Sequence, residues 1–311
     1  MRRTGWLLVL CVAFGGCLSA KDDYVLRDAA LFGHDNKMYW CLNVKKADVN
    51  AVDESGTTAL MLASYAGHTN IVATLLKRGA EVNQQRNRGY ANHETALTFA
   101  AMAGHASVVE ILLKNGAKTD VNPYREASPV IVASEKGHEE VVVLLLSAGV
   151  DLEAVESFLE IQAANSTVTK QKVTVGTVAL HCAAGSGHTA VVEHLVNAGV
   201  DVDSEWGKGT PLMAAARRGK IMVVSTLIDF DADVNRQDDI GRTPLMLAAL
   251  EGHSKVVALL LNEGADPTLK DSSGDESMSY AQGHPSVIDE LISAVKNTQQ
   301  DKSSVRGKPR R

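Results

Sequence analysis

From Gly241 to Asp266 the chain reads GRTPLMLAALEGHSKVVALLLNEGAD. Thr243 is an N-cap residue type and Pro244 suits the first helical position, where a missing N–H costs nothing, so a helix starts there. Gly252 stops it, because glycine enters the left-handed backbone region without a steric penalty. A second helix then sets Val256, Val257, Leu260 and Leu261 at helical spacing, and Gly264 ends it. Asp266 and the polar residues after it make a connecting turn.

The unit recurs along the chain. Gly-His begins at Gly33, Gly67, Gly104, Gly137, Gly187, Gly252 and Gly283, and the equivalent Gly219 precedes Lys220. The successive spacings are 34, 37, 33, 50, 32, 33 and 31, a period near 33 with two insertions. Helices of about eight to ten residues do not persist alone in water, because nucleation is not repaid over two turns, so the units must stack on one another.

Thr-Pro-Leu at 210–212 and 243–245, Thr-Ala-Leu at 58–60 and 95–97, Gly-His, Val-Val-x-x-Leu-Leu and Gly-Ala-Asp together resemble the ankyrin repeat. The resemblance implies an all-α solenoid of about eight helix-turn-helix units with hairpin-like fingers between them. The units run approximately 22–50, 51–83, 84–120, 121–153, 154–203, 204–235, 236–268 and 269–295, within a domain of residues 21–295. Both ends depart from the motif, as capping units do: Tyr24-Val-Leu-Arg27 and Ser277-Met-Ser-Tyr280 stand where Thr-Pro-Leu would. In the sixth unit Phe230-Asp231 replaces Gly-Ala, so the end of that helix is expected to be less well capped.

The insertions fall at Gln84–Glu94 and Ala154–Gly176. The second is expected to be an exposed loop in which Val155–Ile161 adds a helical turn. Residues 296–311 are polar and basic and read as a disordered tail.

Of 311 residues, 45% are hydrophobic and 22% charged, enough apolar material for a core and too much charge for a multispan membrane bundle. Aromatics are only 5%, so the core must be built from Ala, Val and Leu in thin layers. The net charge of -6 hides an asymmetry: residues 1–20 carry +2 and residues 296–311 carry +5, leaving -13 on residues 21–295. Such a body repels phosphate backbones and argues against nucleic-acid binding.

The N-terminus reads as an address. Arg2 and Arg3 precede the apolar run Trp6–Phe14, followed by small residues to Ala20 and then charge, which is the layout of a secretory signal peptide spanning residues 1–20. A bacterial lipoprotein with its lipid on Cys17 is a variant of that reading. Asn165-Ser166-Thr167 is a glycosylation sequon, with Asn165 the acceptor. These features point to the secretory pathway or the cell exterior, or to the periplasm in a bacterium. A cytoplasmic or nuclear protein with an uncleaved N-terminus is the alternative.

Ten histidines invite a metal site, but His34, His68, His105, His138, His188, His253 and His284 occupy one slot in successive units and are therefore spread along the stack. The resemblance implies that this histidine bonds between neighbouring units. His181-Cys182 has no orienting group visible in sequence, so no catalytic residue, cofactor or metal is expected, and the protein is not read as an enzyme. Cys41 and Cys182 lie four layers apart and are expected to be free thiols.

What remains is a protein-protein interaction scaffold, in which fingertips and first-helix faces form a concave binding surface. Fingertip candidates are Tyr90, Tyr124, Arg125, Trp206 and Ile240, and first-helix candidates are Tyr65, Met102, Glu135 and Arg217. Aromatic residues and arginine are enriched in binding hot spots, and exposed tip aromatics are expected to have no internal role. The acidic body favours a basic protein partner bound by a monomer. An enzyme-associated subunit acting through residues 154–176 is the weaker alternative.

Overall fold

The computed structural model describes the backbone of residues 18–86, 93–119, 128–162, 168–207 and 209–306, and the side chains of all of these but 18–21, 155–162, 168–172 and 297–306. Eight helix pairs follow one another among them. They are α1 (Leu18–Phe32) with α2 (Asp35–Asn43), α3 (Ala59–Ala66) with α4 (Thr69–Lys77), α5 (Ala96–Ala103) with α6 (Ala106–Lys114), and α7 (Pro129–Lys136) with α8 (Glu139–Ser147). After strands β1 (Val155–Gln162) and β2 (Val168–Thr174) come α9 (Val175–Ser186) with α10 (Thr189–Asn197), and α11 (Pro211–Arg217) with α12 (Ile221–Asp229). The stack closes with α13 (Pro244–Leu250) and α14 (Ser254–Asn262), then α15 (Ser277–Tyr280) and α16 (Pro285–Arg306). The odd-numbered helices pack on one another in sequence order as one layer, and α4 to α16 pack likewise as a second.

Local chemistry sets the helix ends. The hydroxyls of Thr58, Thr95, Thr174, Thr210 and Thr243 each accept a backbone N–H from the residue three ahead, satisfying a donor the helix itself leaves orphaned. Helices α6, α8, α10, α12 and α14 each carry a Val-Val-x-x-Leu stripe, and Val108, Val109, Leu112, Val256, Val257 and Leu260 are all essentially inaccessible to solvent. A fully buried side chain of this size contributes roughly 1.5–3 kcal/mol by leaving water, so the repeated stripe, not intrinsic helix propensity, holds these short helices.

Three features differ from the sequence-based expectations. Residues 154–176 are not a loop with a helical turn: β1 and β2 form an antiparallel hairpin in which Leu159 pairs with Gln171 and Ile161 with Thr169. Its two arms are rich in Val, Thr and other strand-forming residues, and an extended arm satisfies its backbone groups across the pair. The hairpin ends at Thr174, which is also the N-cap of α9, so Val175 and Gly176 belong to the helix. The all-α reading therefore holds for the stack and fails for the insertion.

The second difference is that α16 runs on to Arg306, so residues 296–306 are helical where a disordered tail is expected from position 296. Lys, Gln, Ser and Arg tolerate a helix, and no proline occurs between Pro285 and Arg306 to stop one. The third lies after α12, where Asp231 takes φ +64°, the left-handed conformation that glycine adopts at Gly79, Gly116, Gly149, Gly199 and Gly264. Aspartate tolerates this region better than most residues, so the turn survives the substitution.

Candidate functional site

A row of histidines ties the units together. The Nε2 atoms of His68, His105, His138, His188, His253 and His284 lie 3.0 to 3.2 Å from the carbonyl oxygens of Leu31, Tyr65, Met102, Glu135, Arg217 and Leu250 respectively. A carbonyl can only accept, so each Nε2 carries the proton. Each ring also lies where the preceding unit's glycine has no side chain: a Cβ at Gly219 would sit 2.7 Å from the ring of His253. That glycine is thus needed twice, for its φ of +67° and for the close approach of the next ring. His34 is the N-cap of α2 and its ring lies 6.2 Å from that of Phe32. In the sixth unit Lys220 holds the slot, so the clamp made from this slot is missing between the fifth and sixth units.

An asparagine ladder runs along the finger side. Asn50 donates to the carbonyl of Gly79 at 3.2 Å and accepts from the N–H of Glu81 at 2.9 Å. Asn83 and Asn235 repeat both bonds one unit further on, to Gly116 and Lys118 and to Gly264 and Asp266. Asp203 takes the equivalent place and accepts from the N–H of Asp233, yet a carboxylate has nothing to donate. Burial first, and then the nearby Asp233 and Asp201 carboxylates, push its pKa up.

The fingers are closed by aspartates. Asp53 accepts from the N–H groups of Ser55 and Thr57, Asp238 from those of Ile240 and Arg242, and Asp271 from those of Ser273 and Asp275. Such side-chain bonds to the backbone two and four residues on fix a tight turn. Tyr280 donates to Asp271 at 2.6 Å, and burial together with that carboxylate pushes its hydroxyl up to about 12.

The candidate binding residues divide on this frame. Tyr65 (48% exposed) and Ile240 (39% exposed) are open to solvent, and the ring of Tyr65 meets Phe99 edge-on at 6.2 Å. Arg217 is exposed and 3.4 Å from Glu251, whereas Met102 and Glu135 are half-buried. The carbonyls of Tyr65, Met102, Glu135 and Arg217 are those the histidines hold, so each candidate side chain projects from a fixed backbone. Trp206 is not a bare fingertip aromatic: it is half-buried against the core and meets the imidazole of His181 edge-on at 5.7 Å. It has an internal role because α9 presents a buried ring directly beneath the finger. Tyr90, Tyr124, Arg125, Asn165 and Cys17 lie outside the described residues.

Beside Trp206 is a cleft of about 410 Å³, lined among others by Glu135, His181, Arg217, Arg218 and Arg242. Sequence reasoning named His181, Arg217, Glu135 and Trp206 separately, but their convergence depends on how four successive units stack. Arg218 carried no motif signal at all. His181 is nearly inaccessible, and its Nε2–H donates to the carbonyl of Ser204 at 2.8 Å. Burial holds its pKa down at about 4 against the lesser upward pull of that carbonyl and of Glu205, so the ring is neutral near pH 7. Cys182 beside it is buried, as is Cys41, and neither is in a disulfide. Burial and Asp22 push the Cys41 thiol up, which disfavours the reactive thiolate. Among the described residues no three His, Cys, Asp or Glu side chains are grouped to hold a metal ion, and no helix is long and apolar enough to cross a membrane.

The family model described as ankyrin repeats (3 copies) matches residues 6–86, 84–156, 149–238, 180–271 and 223–303. Over 45 residues the chain is 51% identical to ankyrin repeat domain-containing protein 29 of Danio rerio, covering 14% of this chain and 15% of that protein. With the Homo sapiens protein of the same name the identity is 38% over 73 residues, covering 22% and 24% respectively. The matched segment thus spans less than a quarter of the length of either curated relative. The crystal structure of the human ASB11 ankyrin repeat domain superposes with a TM-score of 0.65 at 29% identity, over 78% of this chain and 98% of that one. With one family model matching from residue 6 to residue 303 and the same stack of helix pairs, this chain belongs to the ankyrin repeat family.

Proposed function

We propose that this protein is a non-catalytic scaffold that binds a partner protein on the face formed by its first helices and fingertips. Ankyrin repeats are protein-protein interaction modules, and the surface here is a chain-specific version of one. The observation that carries the reading is the coincidence of the histidine-held carbonyls with the row Tyr65, Met102, Glu135 and Arg217. A fixed backbone loses little entropy on binding, which is what a recognition surface requires. Ile240 extends the row onto a fingertip closed by Asp238. The partner is basic overall, because residues 21–295 carry -13, and the scaffold acts as a monomer.

The signal-like N-terminus supports an address in the secretory pathway, with the mature chain beginning near Lys21. Helix α1 starts at Leu18, so that cut removes less than its first turn. Two buried thiols outside any disulfide favour a reducing compartment and support the second reading, a cytosolic or nuclear adaptor with an intact N-terminus. N-terminal sequencing of the native protein decides between the two addresses. Cross-linking and pull-down with the wild-type chain and with Tyr65→Ala/Ile240→Ala tests the surface: loss of a captured protein in the folded variant supports it, and equal capture moves the site elsewhere.

A further inference from the structure

We propose that the cleft beside Trp206 seats a carboxylate side chain of the partner against Arg218, with an apolar neighbour of that residue resting on Trp206. This deepens the scaffold reading above and rests on it. Three guanidinium groups reach the cleft, and two are already engaged: Arg242 lies 2.8 Å from Asp238 and Arg217 lies 3.4 Å from Glu251. Arg218 is exposed and has no ion-pair partner among the described residues. A guanidinium that forms no ion pair with a described residue, in a cleft lined by apolar side chains as well as by Glu135, is a carboxylate site in wait, because charge-assisted bonds to its planar fork are the strongest polar contacts a partner can make there.

A second observation, independent of charge, places that guanidinium. Helix α9 carries Gly185 at a buried position within the helix, where glycine is intrinsically unfavourable. A Cβ there would lie 3.1 Å from Arg218 Nη1 and 3.5 Å from its Cζ, so the missing side chain makes the space in which the arginine lies across the seam between the fifth and sixth units. At that seam Lys220 stands in the slot that holds the clamping histidine elsewhere. Trp206, also in the lining, is fixed edge-on to a neutral imidazole and supplies a rigid apolar wall. The volume of about 410 Å³ falls within the range of roughly 300–1,000 Å³ typical of ligand clefts. An acidic anchor does not conflict with a partner that is basic overall: net charge governs the encounter, and the pocket governs which residue is seated.

The test pans a random linear peptide library against the immobilised full chain and titrates labelled copies of the enriched peptides by fluorescence anisotropy. Enriched peptides should share Asp or Glu next to Leu, Ile or Phe. Arg218→Ala should weaken them by about tenfold or more, as expected on removing a hot-spot arginine, and Arg218→Lys by less. Gly185→Ala should weaken them while the melting temperature holds or rises, a pattern that a merely structural role would not produce. Peptides without acidic residues, an empty selection, or unchanged affinity in a folded Arg218→Ala protein would overturn the assignment. So would a phosphoserine version binding more than about tenfold tighter than the Glu version, since the site would then be a phosphate site. A captured protein partner that is lost with Tyr65→Ala/Ile240→Ala yet binds Arg218→Ala normally overturns this inference and leaves the scaffold reading standing.

Discussion

The Nε2–H of His181, on α9, donates to the carbonyl of Ser204 at 2.8 Å, in the loop that carries Trp206 edge-on to the same ring. The bond by itself favours the protonated ring, but burial outweighs it and holds the pKa at about 4 against the ordinary 6.5. A depressed histidine pKa means that the unfolded chain takes up its proton first as pH falls. The stabilisation is therefore fully present above pH 6.5 and is lost progressively as pH falls from 6.5 toward 4. A shift of this size corresponds to something on the order of 3 kcal/mol. Urea midpoints measured between pH 8 and pH 4 should decline across that window, and His181→Gln should flatten the decline while lowering stability at pH 8. An equally steep decline in the variant would refute the assignment to this ring.

The clamp row predicts opposite outcomes at two positions. Gly219→Ala adds a methyl 2.7 Å from the ring of His253 at a residue with φ +67°. It should cost about 1–2 kcal/mol or more, since both the left-handed strain and the displaced histidine count against it. Lys220→His restores the missing clamp and should gain about 1 kcal/mol, the net worth of one intramolecular hydrogen bond. Chemical denaturation of the two variants side by side checks the pair.

At Asp203 the ladder that elsewhere uses asparagine lacks a donor. Asp203→Asn should supply it and remove the repulsion from Asp201 and Asp233, raising stability by about 1 kcal/mol at pH 7. The gain should shrink in acid, because burial and the neighbouring carboxylates raise the pKa of Asp203 and it is neutralised there in any case. A stability gain that grew as pH fell would show that the carboxylate is not the defect.

Leu260 is wholly inaccessible, whereas Tyr65 and Ile240 are substantially exposed. Leu260→Ala should destabilise the stack by roughly 2–5 kcal/mol through the cavity it leaves. Tyr65→Ala and Ile240→Ala should each stay within about 0.5 kcal/mol of wild type and act on partner capture instead. Thermal melts with parallel pull-downs separate the two effects, and a large loss of stability at Tyr65 would reassign it from recognition to packing against Phe99.

Much of this molecule was legible from its period alone. Thr243 with Pro244, and the Val256, Val257, Leu260 stripe, specify helix starts and buried faces through contacts within a few residues, so much the same reading transfers to the internal units. The slot shared by His68, His105 and His253 was equally visible, while its bonding between units followed from the resemblance to the ankyrin repeat. The hairpin at 155–174 was missed because its strands pair only with each other, and seven or eight residues without a core stripe carry no helical or strand period to read. The cleft was out of reach for a different reason. His181, Trp206, Arg218 and Arg242 come from successive units, and whether they meet depends on how each unit is offset from the last. Only the folded stack shows that Trp206 lies on His181 and that Gly185 leaves room for Arg218, because a missing Cβ matters only where another chain segment comes to fill its place.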